Sequence, residues 1–398
     1  MNEQKAVPNI RFKSFEYEWK LVYLGNIGFF KSGVGFPRNE QGKKNGTPFY
    51  KVSDLGINFK LELERPKNYV TAKQIKNNKW KVIDPTKNGA VVFAKIGAAI
   101  FLDRKRMIMS PFLIDNNLMA YVISDKVNRK FMMNILQIIN FSNFAQVGAI
   151  PSISSSDLRK TKISLPIEIF EQQKIGDFFT KLDKLLDLQQ QKIDKLELLK
   201  KTFLQKLFPN HDAKIPELRF QGFDDDWNEK RLNSITKRLD SYRKPITANK
   251  RLPGQTPYYG ANGIQDYVKG YTHEGEFVLI AEDGANDVKN YPVRFVKGYI
   301  WVNNHAHVLQ AKASISNNLF LSYSLKNKNL LPYLVGSGRM KLNADVLMNL
   351  LLKIPSFKEQ QKIGNLLSKV DQLIELENKK LHNLQQVKKC LLQNMFVE

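Results

Sequence analysis

Cysteine is almost missing from this chain: Cys390 is the single one among 398 residues. One thiol cannot close an intrachain disulfide, and it excludes a cysteine-rich zinc site. Nothing in the sequence around Cys390 points to a redox role, so it reads as an ordinary helix residue. Long apolar runs are missing too. The longest, Val91–Leu102, carries Lys95 and is too short to span a bilayer. The first residues are polar with no apolar run behind them, so no signal peptide is expected, and cytoplasmic placement with no membrane partner is the default reading. Acid is scarce: 62 Lys and Arg face 38 Asp and Glu, a formal charge of +24. Such an excess favours a polyanionic partner, and nucleic acid is the commonest.

Catalytic signatures are also wanting. There is no phosphate-binding loop ending in Lys-Ser/Thr, and Gly33-Val34-Gly35 lacks a third glycine at dinucleotide spacing. No Asn/Asp-Pro-Pro-Tyr/Phe segment is present to position an amino group for methyl transfer. Asp84-Pro85 runs into Thr86 and reads as a turn. Glu197-Leu198-Leu199-Lys200 spells a nuclease-like fragment but falls inside a heptad run. His305 and His307 on one strand would share a face with no acidic or cysteine partner nearby, short of the three or four ligands a metal needs. No metal and no cofactor are expected.

What is present is a duplication. Glu171-Gln-Gln-Lys-Ile-Gly176 recurs as Glu359–Gly364, 188 residues later, and the register then holds without a gap. Ile175, Phe179, Leu182, Leu186, Ile193 and Leu196 match Ile363, Leu367, Val370, Ile374, Leu381 and Leu384. Apolar residues at alternating steps of four and three form a heptad seam. Gln189 and Lys200 interrupt it, and Glu377 and Lys388 interrupt its copy at the same places. A narrow seam with matched polar breaks calls for one partner helix, and the other copy is the obvious one. Connectivity then makes the pair antiparallel, with the halves related by an approximate two-fold axis and held apart at its ends. Internal repeats of this kind decide architecture first.

The repeat has a second marker. Pro8–Trp19 reads like Pro216–Trp227, with Arg11-Phe12 answered by Arg219-Phe220. Between the markers the halves diverge, with faint echoes: Thr47–Tyr50 with Thr256–Tyr259, Val92–Gly97 with Leu279–Gly284, and Asn116-Asn117 with Asn303-Asn304. Apolar runs at Val91–Ile96, Met119–Ile123, Phe277–Ile280 and Tyr299–Val302 predict strands. Arg129–Phe141 and Asn318–Leu325 predict helices, and Pro166 and Pro355 mark the starts of the long ones. The fold class expected is mixed α+β: two globular DNA-recognition domains joined by two long antiparallel coiled-coil helices. The spans are 1–165 for the first domain, 166–210 for its helix and a polar linker, 211–354 for the second domain and 355–398 for its helix.

Candidate binding residues are basic and lie in corresponding loops. Lys31, Arg38, Lys43, Lys44 and Asn45 precede Thr47–Tyr50; Tyr242, Arg243, Lys244, Lys250 and Arg251 precede Thr256–Tyr259; Arg339 and Lys341 lie in a glycine-rich loop. Lys and Arg neutralise phosphates, while Asn and Arg read base edges. A solvated charged surface is the alternative for each.

This pattern resembles the specificity subunit of type I restriction–modification systems. The resemblance rests on Pro166 with Glu171–Ile175, Pro355 with Glu359–Ile363, and the paired lead-ins Pro8–Trp19 and Pro216–Trp227, and it covers essentially the whole chain. It implies a non-catalytic subunit whose two variable domains each read one part of a split double-stranded DNA target. It further implies helices that set the gap, two methyltransferase (modification) subunits that dock, and motor–nuclease (restriction) subunits that cleave. An autonomous bipartite DNA-binding regulator, an RNA-binding or structural protein, and an enzyme of unrecognised chemistry remain the alternatives.

Overall fold

The computed structural model describes residues 7–56, 63, 65–85, 87–146, 148–210 and 212–397. Thr86 of the expected turn and His211 of the linker lie outside the described residues. The chain divides into two compact units, Met1–Gln191 with Lys379–Glu398, and Lys192–Asn378. Both long helices form, as Ile169–Lys206 and Phe357–Met395. Each therefore contributes its first half to one unit and its second half to the other.

Within each unit the helix halves pack antiparallel. In the first, Asp183 pairs with Lys388, while Phe179, earlier on its helix, meets Phe396, just past the end of the other, at 5.7 Å between rings. In the second, Lys192 pairs with Glu377 and Lys200 with Asp371, numbers rising on one helix as they fall on the other. Lys200 and Lys388 hold the same repeat position, as do Asp371 and Asp183. One ion pair is thus made twice, and this is why the seam is polar at those places. Ile175, Phe179, Leu182, Leu186, Ile193, Ile363, Leu367, Val370 and Leu381 are buried; Leu196, Ile374 and Leu384 are half-buried.

The shared hexapeptide is explained by contacts to its own domain. Glu171 is buried and accepts two hydrogen bonds from the Arg11 guanidinium, at 2.7 and 2.8 Å, with the Trp19 indole at 3.4 Å. The bond to Glu171 holds Arg11 above its ordinary pKa, burial opposing. Glu359 accepts the same fork from Arg219, both bonds at 2.9 Å. Gln172 accepts from the Asn128 backbone N–H and donates to the Pro166 carbonyl, and Gln360 does the same to Asn317 and Pro355. Asn128 and Asn317 in turn cap helices Arg129–Ile138 and Asn318–Asn327. Side-chain amides can do this because they donate and accept at once.

The glycine ends the motif for a steric reason. A Cβ on Gly176 would lie 2.7 Å from Lys130 Cβ and 2.8 Å from Phe131 N. On Gly364 it would lie 2.9 Å from Leu319 Cβ and Phe320 N. The start of each domain helix sits directly on this glycine.

The lead-in and the long helix are joined by a two-stranded ladder, Lys20–Tyr23 with Lys162–Leu165 in the first unit and Asn228–Arg231 with Leu351–Ile354 in the second. Beyond it, the first unit holds an antiparallel sheet in the order Gly28–Ser32, Leu118–Ile123, Ala90–Ala94, Lys105–Ile108. Its central strands alternate faces. Val91, Phe93, Met119 and Tyr121 face the helices, while Val92, Ala120 and Val122 face a second core with Tyr50 and Phe112. The second unit holds a six-stranded sheet in the order Thr236–Arg238, Ala306–Ala311, His273–Ala281, Val293–Val302, Pro253–Gly260, Gly263–Val268. Val278, Ile280 and Leu309 face its helices, and Phe277, Leu279 and Val308 the other side.

Both helix ends are also anchored alike. Phe208 packs on Trp227 and Phe320, with the Leu218 N–H donating to the Lys206 carbonyl. Phe396 packs on Trp19 and Phe131, with the Ile10 N–H donating to the Asn394 carbonyl.

Removing the Glu171 carboxylate leaves the half-buried Arg11 guanidinium with only the Tyr17 carbonyl, a change that costs about 3 kcal/mol, the low end for a buried pair. Gly176→Ala overpacks the helix contact and should cost about 1–3 kcal/mol. Thermal unfolding of Glu171→Ala and Gly176→Ala should therefore show lowered transitions, and hydrogen exchange should place the loss in strands Ala90–Ala94 and Leu118–Ile123. Unchanged melting in both variants would refute this account of the motif.

Candidate nucleic-acid interface

The two units place different side chains on one shared backbone frame. In the first, strand Thr47–Tyr50 runs parallel to Leu113–Ile114, and the Asp115 N–H donates to the Tyr50 carbonyl. In the second, Pro253–Gly260 runs parallel to Val293–Val302, and the Asn303 N–H donates to the Tyr259 carbonyl. The side chains of Asp115 and Asn303 then accept from the N–H two residues on, at Asn117 and His305. Lys95 donates its N–H to the Asn117 carbonyl and accepts from Ile153; Glu282 donates to His305 and accepts from Leu342. Ile96 bridges Ser152 as Asp283 bridges Lys341. So Lys95, Ile96, Asn117 and Ser152 occupy the places of Glu282, Asp283, His305 and Lys341.

In the first unit the basic loop is anchored from below and exposed above. Phe36 stacks on Phe49 at 3.8 Å, with Trp80 edge-on to Phe36 at 6.0 Å. Glu40 accepts from Gln74 and Asn78, and the Gln41 amide donates to the Phe36 carbonyl. Gly46 has φ +126°, and a Cβ there would meet the Val70 carbonyl oxygen at 2.2 Å. Arg38, Lys43, Lys44 and Asn45 are exposed on this loop. Lys31 is exposed on strand Gly28–Ser32, its ammonium 5.4 Å from the Phe29 ring.

In the second unit the structure gathers two of the basic segments around half-buried acids. Arg243 pairs with Glu282 at 2.7 Å and also donates to the Ala306 carbonyl. Lys341 pairs with Glu282 at 3.0 Å. His307, 1% exposed, lies 2.6 Å from Asp240 and 2.9 Å from the Leu342 carbonyl oxygen. Arg339 reaches Asp283, which also contacts His305. Arg251 is turned inward, 4.2 Å over the Tyr258 ring and bonded to the Ile246 carbonyl. Tyr242, Lys244 and Lys250 remain exposed.

The sequence-based view of the histidines therefore needs correcting. His305 lies in the turn before strand Ala306–Ala311. Both histidines have acidic neighbours, Asp283 and Asp240, brought from distant parts of the chain. Arg243 likewise is tied into the fold rather than presented. Asp240, Glu282 and His307 do bring ligand atoms within 4.8 Å of one another. Arg243, Lys341 and His307 already occupy those carboxylates, so the cluster fits an ion-pair knot better than a cation site. Asp283 went unnoticed in the sequence, because an acid in a basic protein gives no signal until its partners are seen.

Burial alone would raise the Asp240 pKa, but the His307 bond and charge, the Val308 N–H and Arg243 together depress it. Glu282 is depressed likewise, burial being outweighed by Arg243 and Lys341. Carboxylates depressed on folding contribute stability above their unfolded pKa and lose it as pH falls toward the folded one. Asp240→Asn should lower the urea midpoint of the second unit at about pH 7, and the gap to the parent should narrow at about pH 3. A gap that stays constant with pH would refute the coupling.

The family model for the type I restriction modification DNA specificity domain matches residues 16–198 and 224–386. The chain belongs to this family, that of type I restriction–modification DNA specificity domains. It is 41% identical over 167 residues to a putative type I restriction enzyme specificity subunit of Haemophilus influenzae, covering 42% of this chain and 40% of that one. It is 33% identical over 117 residues to the EcoprrI specificity subunit of Escherichia coli, covering 29% and 28%. The matched stretches thus span less than half the length of each of these relatives. In fold it is similar to an S subunit of a type I restriction–modification system from M. genitalium, with TM-score 0.68 at 17% identity over 98% of this chain and 99% of that one. No helix among the described residues is long and apolar enough to cross a membrane.

Proposed function

We propose that each half of the chain reads one part of a split double-stranded DNA target and that the paired helices fix the gap between the parts. The observation that carries this reading is the shared frame with unlike side chains. Lys95, Ile96, Asn117 and Ser152 in one unit stand where Glu282, Asp283, His305 and Lys341 stand in the other. Two identical frames with different loops suit two different half-sequences.

Residues 1–165 and 211–354 act as the reading domains. Lys31, Arg38, Lys43, Lys44 and Asn45 in the first, with Tyr242, Lys244, Lys250 and Arg339 in the second, form the DNA-facing set. Arg243, Arg251 and Lys341 hold the second loop in shape. The chain itself does no chemistry; modification subunits supply methylation and motor–nuclease subunits supply cleavage, in the cytoplasm where the DNA is.

Two modification subunits have a duplicated place to dock. Leu185, Leu188 and Val387 are exposed on the helices of the first unit, and Leu373, Leu376 and Leu199 on those of the second. They are the same repeat positions. Leu185 follows Asp183 and Val387 precedes Lys388, so the ion pair sets them at one level. Exposed apolar residues at matched positions, five leucines and a valine, support a protein contact there.

Two measurements test the reading. Neutralising six or more phosphates should cost roughly a thousandfold in affinity between about 50 and 200 mM salt, read by fluorescence anisotropy on a target duplex. A flat titration argues against the basic loops as the contact. For the gap, inserting four residues after Leu196 lengthens the helix by about 6 Å, close to two base pairs at about 3.4 Å each. Sequencing of methylated sites should then show both half-sequences kept and one or two unspecified bases gained between them. Altered half-sequences with an unaltered gap would exclude the helices as spacer.

A further inference from the structure

The loop Gly336–Lys341 presents one guanidinium in an unusual setting. Arg339 is 60% exposed, yet its guanidinium is held by the Asp283 carboxylate. Its Nη2 lies 3.2 Å from Asp283 Oδ1 and 3.2 Å from His305 Nδ1. His305 Nδ1 is itself 2.6 Å from Asp283 Oδ1, so this nitrogen carries the hydrogen and donates to the carboxylate. Beneath the guanidinium is Gly284, at φ +70°, where a Cβ would stand 3.1 Å from Nη2. Asn262 donates to the Gly284 carbonyl and fixes that turn. An exposed arginine ordinarily gives up much rotamer freedom on binding; this one has given up part of it already.

Charge decides what such a group is suited to read. Arginine and aspartate cancel, so the ion pair carries no net charge. A phosphate contact draws its strength from uncompensated positive charge and counterion release. A base contact draws on direction instead, and the guanidinium fork matches the O6 and N7 acceptors on the major-groove edge of guanine. The corresponding slot in the first unit supports this. There Ile96 and Asn117 replace Asp283 and His305, and Ile150, 67% exposed, stands two residues before Ser152 as Arg339 stands before Lys341. The slot changes its chemistry completely while its backbone is kept.

We propose that Arg339 reads a guanine in the half-sequence bound by the second domain, and that Asp283 is the positioning residue that holds its guanidinium, with His305 orienting that carboxylate. The proposal rests on the recognition function above and adds the base class and the residues responsible.

The test selects binding sites from randomised duplex DNA with the full-length chain and its variants. The parent should enrich two half-sequences, the second containing a guanine. Arg339→Ala should relax that one position by roughly tenfold to a hundredfold, leaving the first half-sequence and the salt dependence unchanged. Asp283→Asn should relax the same position by less, and Asp283→Glu should restore part of it, which a loss of folding would not do. Arg339→Gln, which cannot donate the paired fork to guanine, should behave like Arg339→Ala; its circular dichroism melt checks that the loop change leaves the fold intact. Uniform weakening on all sequences with a shallower salt slope would make Arg339 a phosphate contact and overturn the proposal. So would an unchanged preference in Arg339→Ala. A parent chain that enriches no sequence at all would instead sink the recognition function, and the guanine assignment with it.

Discussion

The buried carboxylate at the head of each long helix is the contact on which each unit depends. A glutamate with about 1% exposure has no water to fall back on, so its arginine fork must be supplied by the protein. Arg11 and Arg219 come from the far start of their domains, 160 and 140 residues away in sequence. The fork therefore joins the first and last parts of each domain at one point. The adjoining glutamine then ties the start of a domain helix to the proline that precedes the long helix. Glycine closes the set by letting that domain helix sit against the long one. Three residues of one short motif thus fix the docking of a whole domain, which is why they persist where the loops have diverged.

Independence of loop and frame follows from this. The ladder, the helix caps and the aromatic anchor all lie on the side of each sheet that faces the long helices. Val278 and Ile280 face that side, while Phe277 and Leu279 serve the other core. The loops built around Tyr50 and Tyr259 belong to the far side, and their side chains can change without disturbing the fork. The ion-pair knot of Asp240, Glu282, His307, Arg243 and Lys341 is specific to the second unit. It is a local solution for holding one set of basic loops together, while the first unit holds its own loop with Phe36, Phe49 and Trp80.

Much of this was legible in the sequence, because helical seams and repeats are local or periodic. Ile175 through Leu196 and their copies announced a helix pair, and the alternation at Val91–Phe93 and Phe277–Ile280 announced strands. The matched lysines at 200 and 388 were visible as breaks, although their partners, Asp371 and Asp183, needed the antiparallel packing to be identified. The site was less legible. Arg243 and Lys250 look alike in sequence, yet one is knotted inside and the other is exposed. His305 and His307 seemed to lack acids because Asp283 and Asp240 lie far along the chain. Long-range pairing decides such cases, and a single sequence does not encode it in any local pattern.

The anchoring of Phe208 and Phe396 has a topological meaning. Ile10 is bonded to Asn394 as Leu218 is bonded to Lys206. In the second unit the two partners are joined by a short covalent linker; in the first they meet with no peptide between them. The same joint is thus closed once across a short stretch of chain and once between residues nearly a whole sequence apart, so its contacts, rather than the covalent linker, hold the helix end to the lead-in.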